Sequence, residues 1–131
     1  MVIVDTDLLV GLLRGNEAAI EKLQKIEDNN FKISTTAITS YELFKGVYLS
    51  SNPEKNLLQV SRLLQNILVL NFDLDTSKIS AKIYSYLKKK GFLTNLMDQI
   101  IASIAISKNE ILITRNIKHY QKIPNLKIEI W

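Results

Sequence analysis

An α/β sandwich with a central, mostly parallel sheet of about five strands is the fold class that this sequence predicts. Three observations predict it. Short runs rich in Val, Ile and Leu alternate along the chain with longer segments whose apolar residues recur at helical spacing. The first run, Val2-Ile3-Val4, is apolar without interruption, as a strand covered on both faces must be. No Gly/Ser linker, internal repeat or low-complexity block divides the 131 residues, so the elements are expected to form one domain, residues 1–131.

Taken in order, Val2–Val4 is the first strand. Asp5 or Thr6 then caps a helix that runs to about Leu13 and stops near Gly15. Asn16 caps a second helix, in which Ala19, Ile20, Leu23 and Ile26 keep the helical period, and Asn29-Asn30 ends it. Phe31–Ser34 reads as the second strand, with Thr35-Thr36 as the cap of a third helix. The apolar stripe of that helix is Ile38, Tyr41, Phe44 and Tyr48, and Glu42 lies near its edge. Ser51-Asn52-Pro53 breaks the chain before a helix from about Glu54 to Gln65. Ile67–Leu70 is the third strand. Thr76 opens a long helix that sets Ile79, Ile83, Tyr86 and Leu87 on one face. It closes in Lys88-Lys89-Lys90-Gly91, cations and a glycine where a helix C-terminus favours both. A loop leads to Asp98, which begins a helix carrying Ile101, Ala102, Ala105 and Ile106. Ile111–Thr114 is the fourth strand. Leu126–Ile130 is the fifth, and its apolar/polar alternation suits an edge position.

Composition narrows the chemistry. The chain has no cysteine, which excludes disulfides and thiolate metal sites and agrees with a cytoplasmic protein. Its start is not a secretory signal, and no uncharged stretch approaches the roughly 20 residues that a membrane span needs. Seventeen Lys and Arg against thirteen Asp and Glu give a net charge of +4. That excess suits a polyanionic partner, and equally a plain basic surface. The single histidine, His119, reads as a surface or packing residue, because one His makes no metal site.

In open α/β sheets, ligands bind beyond the carboxyl ends of the strands. Here the first strand delivers Asp5, with Asp7 two residues on, and the fourth delivers Thr114, Arg115 and Asn116. The helices add Glu42 and Asp98 to the same edge. Carboxylates about 4–5 Å apart repel by roughly 3–4 kcal/mol at an effective dielectric near 20. A cluster of this kind takes up protons or binds a cation. Oxygen ligands without His or Cys suit Mg²⁺ or Mn²⁺, which can activate a water for attack on a phosphodiester. Taken singly, Asp5 and Asp98 are explained as well by helix capping, and Asp7 by the helix dipole. Glu42 is harder to dismiss, since an unpaired carboxylate beside an apolar stripe is costly.

Four segments in order resemble the PIN-domain ribonucleases, and within them the VapC toxins of toxin–antitoxin pairs. They are Val-Ile-Val-Asp-Thr-Asp-Leu-Leu-Val-Gly-Leu-Leu-Arg-Gly at 2–15, Ser-Tyr-Glu-Leu-Phe-Lys-Gly at 40–46, Asp-Gln-Ile-Ile-Ala at 98–102, and Leu-Ile-Thr-Arg-Asn at 112–116. The last continues through His119-Tyr120 to Ile130-Trp131. The resemblance implies a PIN-like sandwich and hydrolysis of RNA phosphodiester bonds with Mg²⁺, Mn²⁺ being a possible substitute. It makes Asp5, Glu42 and Asp98 the catalytic, metal-binding acids, with Asp7, Thr114, Arg115 and Asn116 as accessory or substrate residues. It also implies a homodimer and an antitoxin protein that blocks the cleft. Two positions depart from the family pattern: Asp7 stands where the family often has Asn, and Asn116 where it commonly has a fourth acid. The alternative is a PIN fold kept as an RNA- or protein-binding module without cleavage. Asp5-Thr6-Asp7 also resembles the opening of haloacid-dehalogenase phosphatases, but the later motifs of that family are missing.

Overall fold

The structure, a computed structural model, describes residues 1–92 and 94–131. Leu93, within the loop expected ahead of Asp98, lies outside the described residues. The elements run β1 (Val2–Val4), α1 (Thr6–Leu13), α2 (Glu17–Asp28), β2 (Ile33–Thr36), α3 (Ala37–Leu49), α4 (Pro53–Gln65) and β3 (Leu68–Leu70). They continue with α5 (Leu74–Lys89), α6 (Leu96–Lys108), β4 (Ile111–Ile113), α7 (Ile117–Tyr120) and β5 (Lys127–Glu129).

The five strands form one sheet in the order β3-β2-β1-β4-β5, and every neighbouring pair is parallel. Central β1 aligns Val2 with Ile33 on one side and with Ile111 on the other. Successive strand residues face opposite sides, so β1 feeds two cores. Val2 and Val4 join Leu8, Leu9, Leu23, Leu43, Val47 and Val60 on one face. Ile3 joins Ile83, Leu87, Ile101, Ile104, Leu112 and Tyr120 on the other. Burying each such Leu or Ile side chain contributes about 1.5–3 kcal/mol, and helix layers on both faces are what a parallel sheet requires.

The expected strands β1, β3, β4 and β5 are present, and β5 lies at an edge. Four local expectations need correction. Strand β2 is Ile33–Thr36, two residues later than Phe31–Ser34, because the Thr35 hydroxyl donates to the Val4 carbonyl at 2.8 Å and ties Thr35 into the sheet. Helix α3 buries Thr39, Leu43 and Val47 rather than the aromatic stripe, and Tyr41 and Tyr48 are 51% and 66% exposed. Helix α5 begins at Leu74, because Asp73 and Thr76 form a reciprocal capping box. Helix α6 begins at Leu96, capped by Asn95, so Asp98 lies in its first turn and does not open it.

Strands 1 to 3 extend the sheet in one direction and strands 4 and 5 in the other. The order therefore reverses between β1 and β4, and a crevice opens at their carboxyl ends.

Candidate active site

Strand β1 hands the chain to Asp5, whose amide donates to the Ile113 carbonyl at 3.0 Å and so keeps the residue in the plane of the sheet. The Asp5 carboxylate caps α1, with Oδ1 accepting from the Thr6 amide at 2.8 Å. Its Oδ2 accepts from the Thr114 hydroxyl at 2.8 Å, at the end of β4. Capping thus occupies Oδ1 alone, and Oδ2 is held at the crevice by the Thr114 hydroxyl. The residue is 2% exposed. Burial pushes its carboxyl up to about 6; the Asp7 charge adds to this, and the hydrogen bonds from Thr114 and Thr6 oppose it.

Freed from capping by Asn95, Asp98 points its carboxylate toward α7. Oδ1 lies 3.4 Å from the Tyr120 hydroxyl, and Oδ2 lies 2.9 Å from His119 Nδ1. That second contact is at ion-pair distance, and Oδ2 is otherwise buried without a hydrogen-bond partner. Burial raises the Asp98 carboxyl, against the opposing pull of His119 and Tyr120. Glu42 is raised chiefly by burial and further by the Asp98 charge, which the Thr6 hydroxyl and Lys45 partly offset. Thr6 is itself fixed by α3, its hydroxyl 3.1 Å from that of Thr39.

Tyr120 gathers these observations. It is fully buried, and its hydroxyl is pushed far up by burial and then by the charges of Asp5, Asp98 and Glu42. One phenol thus sits in the field of all three acids, although they are carried by the end of β1, by α3 and by α6. Among the described residues, no three such side chains already stand grouped to hold an ion. The donor set nevertheless fits a hard divalent cation: the oxygens are desolvated, raised by burial, and include one buried oxygen without a hydrogen-bond partner.

The four accessory residues fall around this cluster. Thr114 is buried and touches Asp5 and Asp7. Asp7 has both oxygens engaged, Oδ1 by Trp131 Nε1 at 2.9 Å and Oδ2 by the Arg115 amide at 2.8 Å. Arg115 lies over the Trp131 ring. Asn116 is exposed at the start of α7, where its side chain makes no capping bond and its amide donates to the Thr114 hydroxyl oxygen. The sequence alone gives no site role to Thr6, Tyr120 or Trp131 and reads His119 as a surface or packing residue, whereas the structure sets it against Asp98. The only sequence signal for the last three was their inclusion in the final segment of likeness.

The PIN domain family model matches residues 2–124. The chain belongs to the PIN domain family. Among PIN proteins it is 30% identical over 129 residues to ribonuclease VapC2 of Rickettsia felis, covering 98% of this chain and 96% of that one. It is 27% identical over 128 residues to the tRNA(fMet)-specific endonuclease VapC of Salmonella typhimurium, with the same shares covered. Its fold matches the structure of VapBC2 from Rickettsia felis bound to a DNA fragment from their promoter. That match has a TM-score of 0.91 at 28% identity and covers 100% of this chain and 99% of the other. The mostly parallel PIN sandwich expected from sequence is therefore the fold observed.

Proposed function

We propose that this chain is a metal-dependent endoribonuclease, the toxin of a VapC-type toxin–antitoxin pair, with residues 1–131 acting as one PIN unit. The observation that supports the catalytic part is the placing of Asp5 and Asp98 at the carboxyl end of the sheet. Asp5 is held by Thr114 at the end of β4, and Asp98 has Oδ1 3.4 Å from the buried Tyr120 hydroxyl, whose proton the charges of Asp5, Asp98 and Glu42 all help to hold. The ribonuclease names of the similar proteins support RNA as substrate, and the VapBC complexes among similar structures support a protein antitoxin as partner. Mg²⁺ is the proposed ion, with Mn²⁺ as substitute, because the donors are all oxygen. The reading also places the protein in the cytoplasm as a homodimer. Among the described residues no helix is long and apolar enough to cross a membrane.

In this mechanism Asp5, Glu42 and Asp98 would hold the ion, which would supply Lewis-acid polarisation of the phosphoryl group and activation of water. The protein's own work is orientation and exclusion. Thr114 and Thr6 fix the two oxygens of Asp5. Tyr120 remains protonated and presents a neutral donor to the acids, which limits their mutual repulsion without neutralising them. His119 approaches Asp98 from the solvent side, with half its side chain exposed.

That no three ligand-type side chains stand grouped among the described residues favours one rival, a binding module without cleavage. A cleavage assay on structured and single-stranded RNA with Mg²⁺, alongside EDTA and Asp5→Asn controls, separates the two. Metal-dependent cutting that Asp5→Asn abolishes supports the nuclease; RNA binding without metal-dependent cutting supports the module.

A further inference from the structure

We propose that Asp7 is a positioning residue that latches Trp131 and the turn between β4 and α7 onto the site, and is not a further metal-holding acid. The proposal rests on the reading of Asp5, Glu42 and Asp98 as the ion-holding set. Asp7 is committed on both oxygens. Oδ1 accepts from the Trp131 indole at 2.9 Å, and Oδ2 accepts from the Arg115 amide at 2.8 Å, with the Thr114 hydroxyl 3.1 Å away. A carboxylate that accepts from two N–H groups at such distances gives up charge-assisted bonds if it turns to an ion.

Trp131 is fixed by more than Asp7. The Arg115 guanidinium lies 3.5 Å from the ring centroid, and Arg115 Nε donates to the Trp131 carbonyl at 3.0 Å. The far edge of the ring lies against α1, where a Cβ on Gly11 would come within 3.1 Å of it. Indole, guanidinium, carboxylate and helix thus form one closed set of contacts, joining sequence positions 7, 11, 115 and 131.

The set acts on the site through Thr114. That hydroxyl has one proton to give. It lies nearer Asp5 Oδ2, at 2.8 Å, than Asp7 Oδ2, at 3.1 Å, and it accepts from the Asn116 amide at 3.0 Å. By holding the Arg115 amide, Asp7 fixes the turn, and the turn aims the Thr114 hydroxyl at Asp5. Stacking also orders Arg115. Among the described residues its two terminal nitrogens make no hydrogen bond, so a planar fork remains available for a phosphate at the rim of the crevice.

The test is a mutant cycle on the full chain: Asp7→Asn, Trp131→Phe, and both together, with Asp5→Asn as control. An asparagine cannot satisfy both neighbours, because whichever way its amide is set, its NH₂ meets either the indole N–H or the Arg115 N–H. Asp7→Asn is therefore expected to lower kcat by about tenfold, as a small misplacement of a catalytic group does. The Mg²⁺ concentration giving half-maximal rate stays unchanged. With Trp131→Phe the competing indole donor is gone, and adding Asp7→Asn then costs much less. Two readouts are independent of cleavage. Trp131 is the only tryptophan, so Asp7→Asn shifts its emission toward that of an exposed indole. Melting temperatures of the four proteins show the same non-additivity.

A raised Mg²⁺ requirement for Asp7→Asn whatever stands at position 131 would overturn the proposal in favour of a metal ligand. Equal losses in both backgrounds, or unchanged emission and melting, would equally sink the latch. If Asp5→Asn still cuts RNA, the ion-holding reading fails by itself, while emission and melting continue to decide the latch.

Discussion

Asp5 is asked to do two things that conflict. As a buried carboxylate it is expensive to ionise, and as a member of the proposed ion-holding set it must be ionised to hold a cation. Its value in the fold, about 6, exceeds the ordinary 3.8, so the folded state holds this proton more tightly than the unfolded chain does. The contribution is fully present below about pH 4. It is lost as pH rises toward 6, at a cost of roughly 3 kcal/mol for about two pKa units. Denaturant titration of the metal-free protein is expected to find it less stable at pH 7.5 than at pH 4.5. Asp5→Asn caps α1 equally well, so the variant should lose this part of the pH dependence and be the more stable protein at pH 7.5 while being inactive. A flat profile for the native chain would mean that Asp5 is solvated. Tyr120→Phe tests the neighbouring phenol. Loss of the donor to Asp98 is expected to cost on the order of 1 kcal/mol, more at pH 8 than at pH 5, because the acids are charged at the higher pH. Equal cost at both pH values would show that the hydroxyl does not serve the acids.

Helix α3 decides where Glu42 stands, and its packing shows what a sequence pattern conveys and what it hides. The apolar period was legible, but the face was not. Tyr41 and Tyr48 outweigh Thr39 in any hydrophobic reading, yet the small Thr39 goes inward, because its hydroxyl finds partners in Thr36 and Thr6. Leu43→Ala is therefore expected to cost about 2–5 kcal/mol and Tyr48→Ala within about 0.5, measured by denaturant midpoints; the reverse order would restore the aromatic face as the buried one. Strands β1 and β4 were readable because a fully buried strand needs an unbroken apolar run. The end of β2 is misplaced by the sequence because Thr serves strands and caps alike, and Thr36 in fact does both. Of the site, the three acids were visible as residue types ending or following elements. The contacts of Tyr120 and Trp131 were not, since pairings 22 and 124 residues apart leave no local mark. The single turn α7 is too short for periodicity to find. Gly11 offers one more test at this scale: a Cβ there would lie 2.9 Å from the Ala19 Cβ, so Gly11→Ala should lower the melting temperature by pushing α2 off α1. No change would mean that the two helices are free to part.

For the molecule as a whole, the acids repel within a fold that otherwise packs well, and a divalent cation should return that cost. Millimolar Mg²⁺ is expected to raise the melting temperature at pH 7.5 by several degrees, and much less in Asp5→Asn; no shift in either would argue that the acids bind no ion. The topology adds something about time. The central strand β1 is the first element of the chain, and one of its two neighbours, β4, begins 109 residues after β1 does. Pairing so remote in sequence is slow, because a long loop must close before any bond is gained. Until it closes, one side of β1 has no partner strand, and Asp5 lacks both the Ile113 carbonyl that holds its backbone and the hydroxyl of Thr114. A growing chain with α1 to α6 already outside the ribosome is thus still without its completed cutting centre. On the reading proposed above, newly made copies spend that interval harmless to the RNA around them.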